Sequence, residues 1–303
     1  MGSRIPLPVW LLAAAALGAA GCGALPASAR VSGVRVVAAE NFWGSIARQI
    51  GGAHADVQSI IVNPAQDPHS YEPTAADARA MATAQLAIVN GVGYDPWAPK
   101  LLAADPAGGR AVLTVGQLFG LDAGENPHRW YDPAEVQGVA TAIAAALGRL
   151  DPKHAGYYAR RLEQFDTVAL SRYHALIAQI RRRYAGVPVG ASESIFALQA
   201  PALGLRLITP PSFMRAISEG SEVTAQDTAT TQQQITGHAI KVWIFNSQNA
   251  TPEIQRLNSL ARAQRIPIAT VTETLSPQTD SFEQWQVAQL EGIESALHRA
   301  TGR

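Results

Sequence analysis

Two histidines occur in short motifs of the same design. His69 lies in the sequence D-P-H-S-Y-E-P at 67–73, and His128 lies in N-P-H-R-W-Y-D-P at 126–133. Each motif follows a segment that predicts a strand, and the proline before each histidine restricts the backbone of the loop. In open α/β sheets, ligands bind at the carboxyl ends of the strands. We therefore expect both imidazoles at such an edge, where they could bind a metal ion.

Two carboxylates occupy corresponding places in the second half of the chain. Glu193 comes just after a predicted strand that ends at Ala191, and Glu273 follows the last predicted strand, which ends at Val271. Each has an ordinary explanation, since Glu193 could stabilise a helix N-terminus and Glu273 could be a solvated loop residue. Together with two imidazoles, two carboxylates form a donor set suited to Zn(II), Mn(II) or Fe(II).

The other five histidines lie in helical segments or at helix ends. For these we expect roles on the surface or in the core rather than at a metal: His54, His154, His174, His238 and His298.

The first thirty residues are typical of a targeting segment. Arg4 is the only charged residue before a run of mostly Leu and Ala at 9–20, which is too short for a good transmembrane helix. Cys22 is the only cysteine and follows small residues at the end of this run. Because Cys22 has no partner for a disulfide, we expect cleavage and lipidation there, as in bacterial lipoproteins. An ordinary cleavage site in the sequence A-S-A at 27–29 is the alternative.

The composition excludes several classes of function. With 24 basic and 24 acidic residues, the chain has no charge excess that would favour nucleic acid as a partner. A hydrophobic content of 47% fits a well-buried α/β protein. Without a second cysteine, any metal site must use histidines and carboxylates, which excludes structural zinc of the finger type.

Strands and helices alternate along most of the chain. Strands are predicted at 34–39, 56–62, 86–90, 111–115, 187–191, 205–209, 241–246 and 266–271, and helices at 43–50, 75–84, 97–104, 194–203, 225–237, 252–264 and 282–297. This alternation predicts an α/β fold with two doubly wound βα lobes and parallel sheets. The segment between 133 and 184 is almost entirely helical, and one helix over 152–184 would be about 50 Å long. We expect this long linking helix to join the lobes, with the metal site in the cleft between them.

The predicted organisation has four parts. Residues 1–30 are the signal peptide and tether, 31–150 the N-terminal βα lobe, 151–184 the linking helix, and 185–303 the C-terminal βα lobe.

The chain resembles the zinc/manganese-binding solute receptors of bacterial ABC importers, the TroA-like cluster A-I family. The resemblance covers nearly all of the mature chain. The motifs around His69 and His128 are similar to the family's two histidine-ligand motifs, and S-E-S-I-F at 192–196 is similar to the segment that supplies its third ligand. The family's fourth ligand is usually an Asp after the last strand, where this chain has Glu273. Asp280 is the reserve candidate.

The resemblance implies a receptor without enzymatic activity. His69, His128, Glu193 and Glu273 would bind one divalent ion, which the protein would deliver to the permease subunit of an ABC importer. Many zinc-specific relatives carry a histidine-rich loop between the two histidine motifs, and this chain has none. We favour Zn(II), while the two carboxylates keep Mn(II) open. We also expect an exported monomer, periplasmic or anchored to the outer face of the cell membrane through Cys22.

Two other functions remain open. A surface adhesin is the first, because members of the family can be displayed on cells. A secreted metallohydrolase is less favoured, because it would need an open metal position and a general base. Glu72 is the only obvious candidate for that base, and the chain lacks an H-E-x-x-H pattern.

Overall fold

Two parallel sheets form the framework of the protein. The computed structural model describes residues 1–2 and 33–303 except Asp67, and for His69 it describes the main chain alone. Cys22 and the predicted targeting segment beyond residue 2 therefore lie outside the described residues. Within the described part, each sheet has four strands, and all neighbouring strands are parallel.

The strands and helices follow one another in an alternating order. The strands are β1 (Val34–Glu40), β2 (Ala55–Ile61), β3 (Leu86–Val89), β4 (Ala111–Thr114), β5 (Pro188–Ala191), β6 (Arg206–Leu207), β7 (Val242–Asn246) and β8 (Ile268–Val271). The helices are α1 (Asn41–Gly51), α2 (Ala75–Thr83), α3 (Trp97–Ala104), α4 (Val115–Leu118), α5 (Pro133–Leu150), α6 (Ala155–Gln164), α7 (Ser171–Tyr184), α8 (Pro211–Ser218), α9 (Ala225–Thr236), α10 (Pro252–Ala263) and α11 (Phe282–Thr301).

Both sheets have the same topology. The strand order is β2-β1-β3-β4 in the N-terminal lobe and β6-β5-β7-β8 in the C-terminal lobe. In each sheet the first two strands are therefore added toward one side and the last two toward the other. The loops at the carboxyl ends of the two central strands consequently diverge and leave a crevice between them. The prediction of two parallel α/β lobes is confirmed, and every predicted strand is present. The domain boundaries given above stay a prediction.

Strand β1 shows why these segments form buried parallel strands. Its side chains alternate between two faces: Val36 and Ala38 belong to the main core, whereas Val37 and Ala39 pack with the buried side chains of α2 and α3. Because both faces are covered, the strand is apolar throughout rather than alternating with polar residues. This explains how a continuous apolar run in the sequence could be identified as a strand.

One core continues from the N-terminal lobe into the C-terminal lobe. Contacts between aromatic rings connect the two parts of this core. Phe42 stacks on Trp130 with 4.0 Å between ring centroids, and Tyr131 makes a T-shaped contact with Trp285 with 6.0 Å between centroids. Tyr173 on α7 and Phe282 at the start of α11 continue the same contacts. The two sheets therefore share buried apolar surface, which opposes wide separation of the lobes. Both sheets belong to one compact unit that covers 32–303.

The linking segment is helical for nearly its whole predicted length. Asp151 and Pro152 interrupt it after α5, as predicted, and a 3-10 turn leads into α6. A π-helical turn at Phe165–Ala169 then separates α6 from α7, where the backbone N–H of Leu170 donates to the carbonyl of Phe165 over 2.9 Å. The segment is thus a helical connection with one local irregularity rather than a single regular helix.

Two local predictions need correction. The predicted helix at 194–203 is only a 3-10 turn, Ser194–Ala197, followed by turns. Pro201 accounts for this, because a proline disfavours helical backbone at the residue before it and lacks an N–H for the ladder. Helix α8 was not predicted, although Pro211 at its first position and the buried Phe213 and Met214 are typical of a short amphipathic helix. Among the described helices, none has both the length and the apolar character needed to cross a bilayer.

Two carboxyl groups are buried together at the carboxyl ends of β1 and β3. Glu40 has no exposed surface, and Asp95 is 1% exposed. Burial and the neighbouring Asp95 carboxyl raise the pKa of Glu40 well above its usual range. Burial also raises the pKa of Asp95, but the backbone N–H groups of Gly91 and Asn90 donate to it and act in the opposite direction. Glu40 therefore holds the proton of the pair and Asp95 the charge.

Replacing Glu40 by Gln should make the folded protein less sensitive to high pH. Above the ordinary pKa of about 4.5 the unfolded chain releases this proton while folded Glu40 keeps it, so the free energy of unfolding falls as the pH rises toward the folded pKa. Each unit by which the pKa is raised corresponds to about 1.4 kcal/mol. Urea unfolding of chelator-treated protein at pH 5 and pH 8 should therefore show a smaller decrease for Glu40→Gln than for the wild type.

Glu222→Gln, at an exposed position, is the matched control and should follow the wild type. The same pH dependence in wild type and Glu40→Gln would show that Glu40 does not keep a proton in the folded state.

Candidate metal centre

Three of the predicted ligands come together between the lobes. His128, Glu193 and Glu273 each offer a ligand atom, and these atoms all lie within 4.8 Å of one another. His128 and Glu193 have no exposed surface, and Glu273 is 8% exposed. One imidazole and two carboxylates are thus gathered, almost out of solvent, from three segments that are distant in the sequence.

The topology of the second sheet explains the position of both carboxylates. Glu193 comes two residues after β5, and Glu273 two residues after β8. Asn246 is the last residue of β7, which lies between β5 and β8 in the sheet. The crevice between β5 and β7 is the switch point of this sheet, and its polar side chains therefore converge at the carboxyl edge.

The loop after α4 fixes the orientation of His128. The side-chain oxygen of Asn126 accepts from His128 Nδ1 at 2.8 Å and from the backbone N–H of His128 at 3.1 Å. This places the ring proton on Nδ1 and makes Nε2 the nitrogen that can bind a cation. The Nδ2 of Asn126 donates to the carbonyl of Ser194 at 2.8 Å, so the same side chain joins the His128 loop to the residue after Glu193.

Neutral donors hold the two carboxylates. Asn246 Nδ2 donates to Oε1 of Glu193 at 2.5 Å and to Oε1 of Glu273 at 3.0 Å, one hydrogen to each. Asn249 Nδ2 donates to Oε2 of Glu193 at 2.7 Å, and Tyr94 Oη donates to Oε2 of Glu273 at 2.9 Å. Each of the four carboxylate oxygens therefore accepts a hydrogen bond from a neutral donor. The two carboxylates repel each other at this distance, and a cation among them would remove that repulsion.

Aromatic side chains close the space behind His128. Tyr94 and Trp130 make T-shaped contacts with its ring, with centroid distances of 5.9 and 5.3 Å. Burial raises the pKa of Tyr131 well above its usual range, so its hydroxyl stays protonated and lies 2.8 Å from the carbonyl of Thr272. This hydroxyl therefore holds the residue before Glu273 against the N-terminal lobe. Such a dry surrounding strengthens electrostatic attraction between the donors and an ion.

A cleft of about 410 Å³ lies beside Glu273. One wall is the loop after β2, which includes Pro64 and Ser70, and the other is formed in the C-terminal lobe by the end of α8 and by Gln248 and Asn249. His69 belongs to a 3-10 turn in this loop, Pro68–Ser70. Its side chain lies outside the described part, so its place among the ligands stays a prediction.

Asp280, the reserve candidate, is not part of this cluster. The described donor group at the centre contains His128, Glu193 and Glu273, and Asp280 lies half-buried in the loop before α11, where its N–H donates to the carbonyl of Pro277 at 3.2 Å. The geometry therefore favours Glu273 over Asp280.

The residues that position the ligands were not among the predicted site residues. Asn246, Gln248 and Asn249 contact the ligand side chains or their backbone, and Gln248 Oε1 accepts from the N–H of Glu273 at 2.7 Å. The sequence feature that could have identified these residues is the polar run N-S-Q-N at 246–249, which directly follows the apolar part of β7. Tyr94 could have been noticed in the same way, because it follows β3 in a glycine-rich turn.

The chain matches a known family over most of its length. The family described as "Zinc-uptake complex component A periplasmic" matches residues 36–296. The "Manganese-binding lipoprotein MntA" of Halalkalibacterium halodurans is 30% identical over 159 residues, which are 50% of this chain and 51% of MntA. The "High-affinity zinc uptake system protein ZnuA" of Paracoccus denitrificans is 29% identical over 192 residues, 50% of this chain and 57% of that protein. The chain spans about half the length of the curated relatives it matches.

Solved structures share the fold. The structure of the "periplasmic metal binding protein from candidatus liberibacter asiaticus" aligns with a TM-score of 0.72 and 19% identity, covering 87% of this chain and 99% of that one. At this identity the likeness concerns the fold of two parallel α/β lobes.

Replacing Asn246 by Leu should weaken metal binding without removing a ligand. Leu has a similar size but cannot donate to either carboxylate, so Glu193 and Glu273 would lose their common orienting partner. Loss of such a partner typically lowers metal affinity by about 10- to 100-fold. Competition of metal-stripped protein with a chelator of known affinity for Zn(II) measures the effect.

Asn258→Leu provides the control, because Asn258 is a buried amide in the same lobe that accepts from Trp243 Nε1 at 2.8 Å. This variant should lose stability and keep its affinity for Zn(II). An equal loss of affinity in both variants would mean that general destabilisation, and not the orientation of the carboxylates, explains the result.

Proposed function

The chain belongs to the ZnuA family of periplasmic zinc-uptake components, and from this premise we propose that it is the extracytoplasmic receptor of an ABC importer. In this proposal it captures one divalent transition metal ion between its lobes and delivers the ion to a membrane permease. The relatives named above are a manganese-binding lipoprotein and a zinc uptake protein, which supports this class of cargo. The family consists of solute receptors, and we assign no enzymatic activity to the chain.

The observation that carries the proposal is the buried cluster of His128, Glu193 and Glu273. Two carboxylates and an imidazole with converging ligand atoms favour a divalent cation over an organic solute. With His69 as the fourth ligand, the protein would supply the whole first coordination shell. A closed shell suits capture, since hydrolytic zinc sites keep one position for water.

We propose Zn(II) as the cargo and keep Mn(II) as the alternative. Two imidazoles suit zinc well, whereas two carboxylates also suit the harder Mn(II). Tyr94, Asn246 and Asn249 restrict the movement of both carboxylates, and a restricted set of four ligands favours the tetrahedral geometry of zinc. Manganese would need further oxygen ligands, which water in the neighbouring cleft could provide.

We propose that the receptor acts outside the cytoplasm as a monomer. The description of its family as periplasmic supports export, and its similarity to a manganese-binding lipoprotein supports lipidation of Cys22. Cleavage at 27–29 without lipidation is the alternative. Release of the ion would come from small shifts between the lobes or from loop rearrangement, because a shared core opposes wide opening.

A metal titration with ligand variants tests the proposal. Metal-stripped wild type should bind Zn(II) tightly in a competition assay, and His69→Ala, His128→Ala and Glu273→Ala should each weaken binding by about 100-fold or more, because losing a ligand should cost at least as much as losing its orienting partner. The same titration with Mn(II) gives the order of preference. Asp280→Ala is the matched control and should bind like the wild type.

Other outcomes would favour a different function. Binding no tighter than about 1 µM for either ion, which is about −8 kcal/mol, would contradict the capture proposal and favour the surface adhesin. Loss of affinity in Asp280→Ala but not in Glu273→Ala would transfer the fourth ligand to Asp280. Metal-dependent hydrolysis that disappears in Glu72→Gln would instead support a secreted metallohydrolase.

A further inference from the structure

A second cluster of side chains that could hold a metal ion lies at the amino end of strand β2 in the N-terminal sheet. His54 ends a 3-10 turn directly before β2, and Asp151 and His154 flank the turn between α5 and α6. His54 lies about a hundred residues before the other two, and the cluster lies at the amino end of β2, whereas the candidate metal centre faces the carboxyl ends of the strands. The seven residues of β2 alone span about 20 Å. The two clusters are therefore separate sites.

The donors of this cluster already lie at short range. One ligand atom from each of His54, Asp151 and His154 lies within 4.8 Å of the other two. His154 Nδ1 and Asp151 Oδ2 are 2.7 Å apart, and the rings of His54 and His154 stack with 3.7 Å between their centroids and 16° between their planes. All three side chains are partly exposed, so an ion and its remaining water ligands could reach them.

Two tyrosines hold these donors in place. Tyr158 Oη lies 3.0 Å from Asp151 Oδ2 and 3.1 Å from the carbonyl of His54, within donating distance of both. The edge of Tyr157 meets the His54 ring at 4.6 Å, and Tyr157 Oη accepts from the N–H of Ala53. Gly52 allows this close packing, because its φ is +50° and a Cβ there would lie 2.1 Å from Tyr157 Oη. Supported donors of this kind reduce the cost of ordering a metal site.

Asp151 is suited to an ionic role. Its Oδ2 atom accepts from His154 Nδ1 at 2.7 Å and from Tyr158 Oη at 3.0 Å, two donors that favour an ionised carboxylate. A cation beside this carboxylate would be stabilised by it. A stacked histidine pair alone would explain the packing of the two turns, but it would not require a carboxylate within reach of both rings.

We propose that His54, Asp151 and His154 form a second metal site, which takes a divalent first-row cation such as Zn(II). Two imidazole nitrogens and one carboxylate supply three ligands, and water completes the tetrahedron. The nitrogen lone pairs of two stacked rings lie in two nearly parallel planes, and one ion cannot lie in both planes, so one ring must rotate when the ion binds. Because this site has only three protein ligands and is partly exposed, it binds more weakly than the centre between the lobes. A bound ion would link the start of β2 to the junction between α5 and α6.

Calorimetric titration of the metal-stripped chain with Zn(II) tests the second site. The wild type should bind two equivalents, one tight and one weaker. His54→Phe and His154→Phe keep an aromatic ring for stacking but remove a donor, and each should lower the affinity of the weaker equivalent by about 100-fold or more while the tight one is kept. His128→Ala should have the opposite effect, and His174→Ala, at an exposed histidine outside both clusters, should keep both equivalents.

Titration with Co(II) gives an independent measurement, since a bound paramagnetic ion broadens the ring signals of its histidine ligands. The signals of His54 and His154 should broaden in the His128→Ala variant, in which the tight site is impaired. A weaker equivalent that persists unchanged in the His54→Phe/His154→Phe double variant would overturn the second site, as would a wild type that binds a single equivalent. Folding of the variants is checked by their thermal unfolding.

Discussion

Two buried carboxylates held close together are the constraint on which the centre between the lobes depends. Glu193 and Glu273 converge almost out of solvent, where their repulsion is weakly screened. The fold limits the cost with directed neutral donors, and Asn246 divides its two hydrogens between the carboxylates. A protein that used these residues only for stability would gain more from apolar side chains of similar volume. The arrangement is therefore best explained as a preorganised binding site for a cation.

The topology explains how distant segments can build such a place. In each sheet the chain reverses its winding between the two central strands, so loops from both sides face a common crevice. The two lobes turn these edges toward each other, and hydrogen bonds from Asn126 to Ser194 and from Tyr94 to Glu273 cross between them. The continuous core behind the crevice keeps the edges in register. Precision at the site thus comes from rigid sheets, although most of the polar side chains stand on loops.

The strands and the three clustered ligand candidates, His128, Glu193 and Glu273, could be predicted from the sequence because they depend on local signals. Apolar runs such as β1 and residues at strand ends, such as Glu193, can be identified without knowledge of their partners. What could not be predicted depends on which segments meet in space. The bridging role of Asn246 requires the neighbouring positions of β5, β7 and β8, and the pairing of His54 with His154 requires two turns about a hundred residues apart. The turn at 194–197 in place of a helix shows that one proline can outweigh a helical pattern.

The cleft beside Glu273 would give an ion a route between solvent and the proposed site. Glu273 and His128 are anchored from behind by Tyr94, Asn126 and Asn246, whereas the outer wall is a short loop after β2. An ion would approach as a hydrated cation and exchange its waters stepwise at this entrance. In the proposed receptor, affinity would then depend on the anchored donors and on His69 in this loop, whereas the rate of ion exchange would depend on the other residues of the loop. Substitutions at Pro64 or Gln66, which line this entrance away from His69, would then change the rates at which the ion enters and leaves more than its affinity.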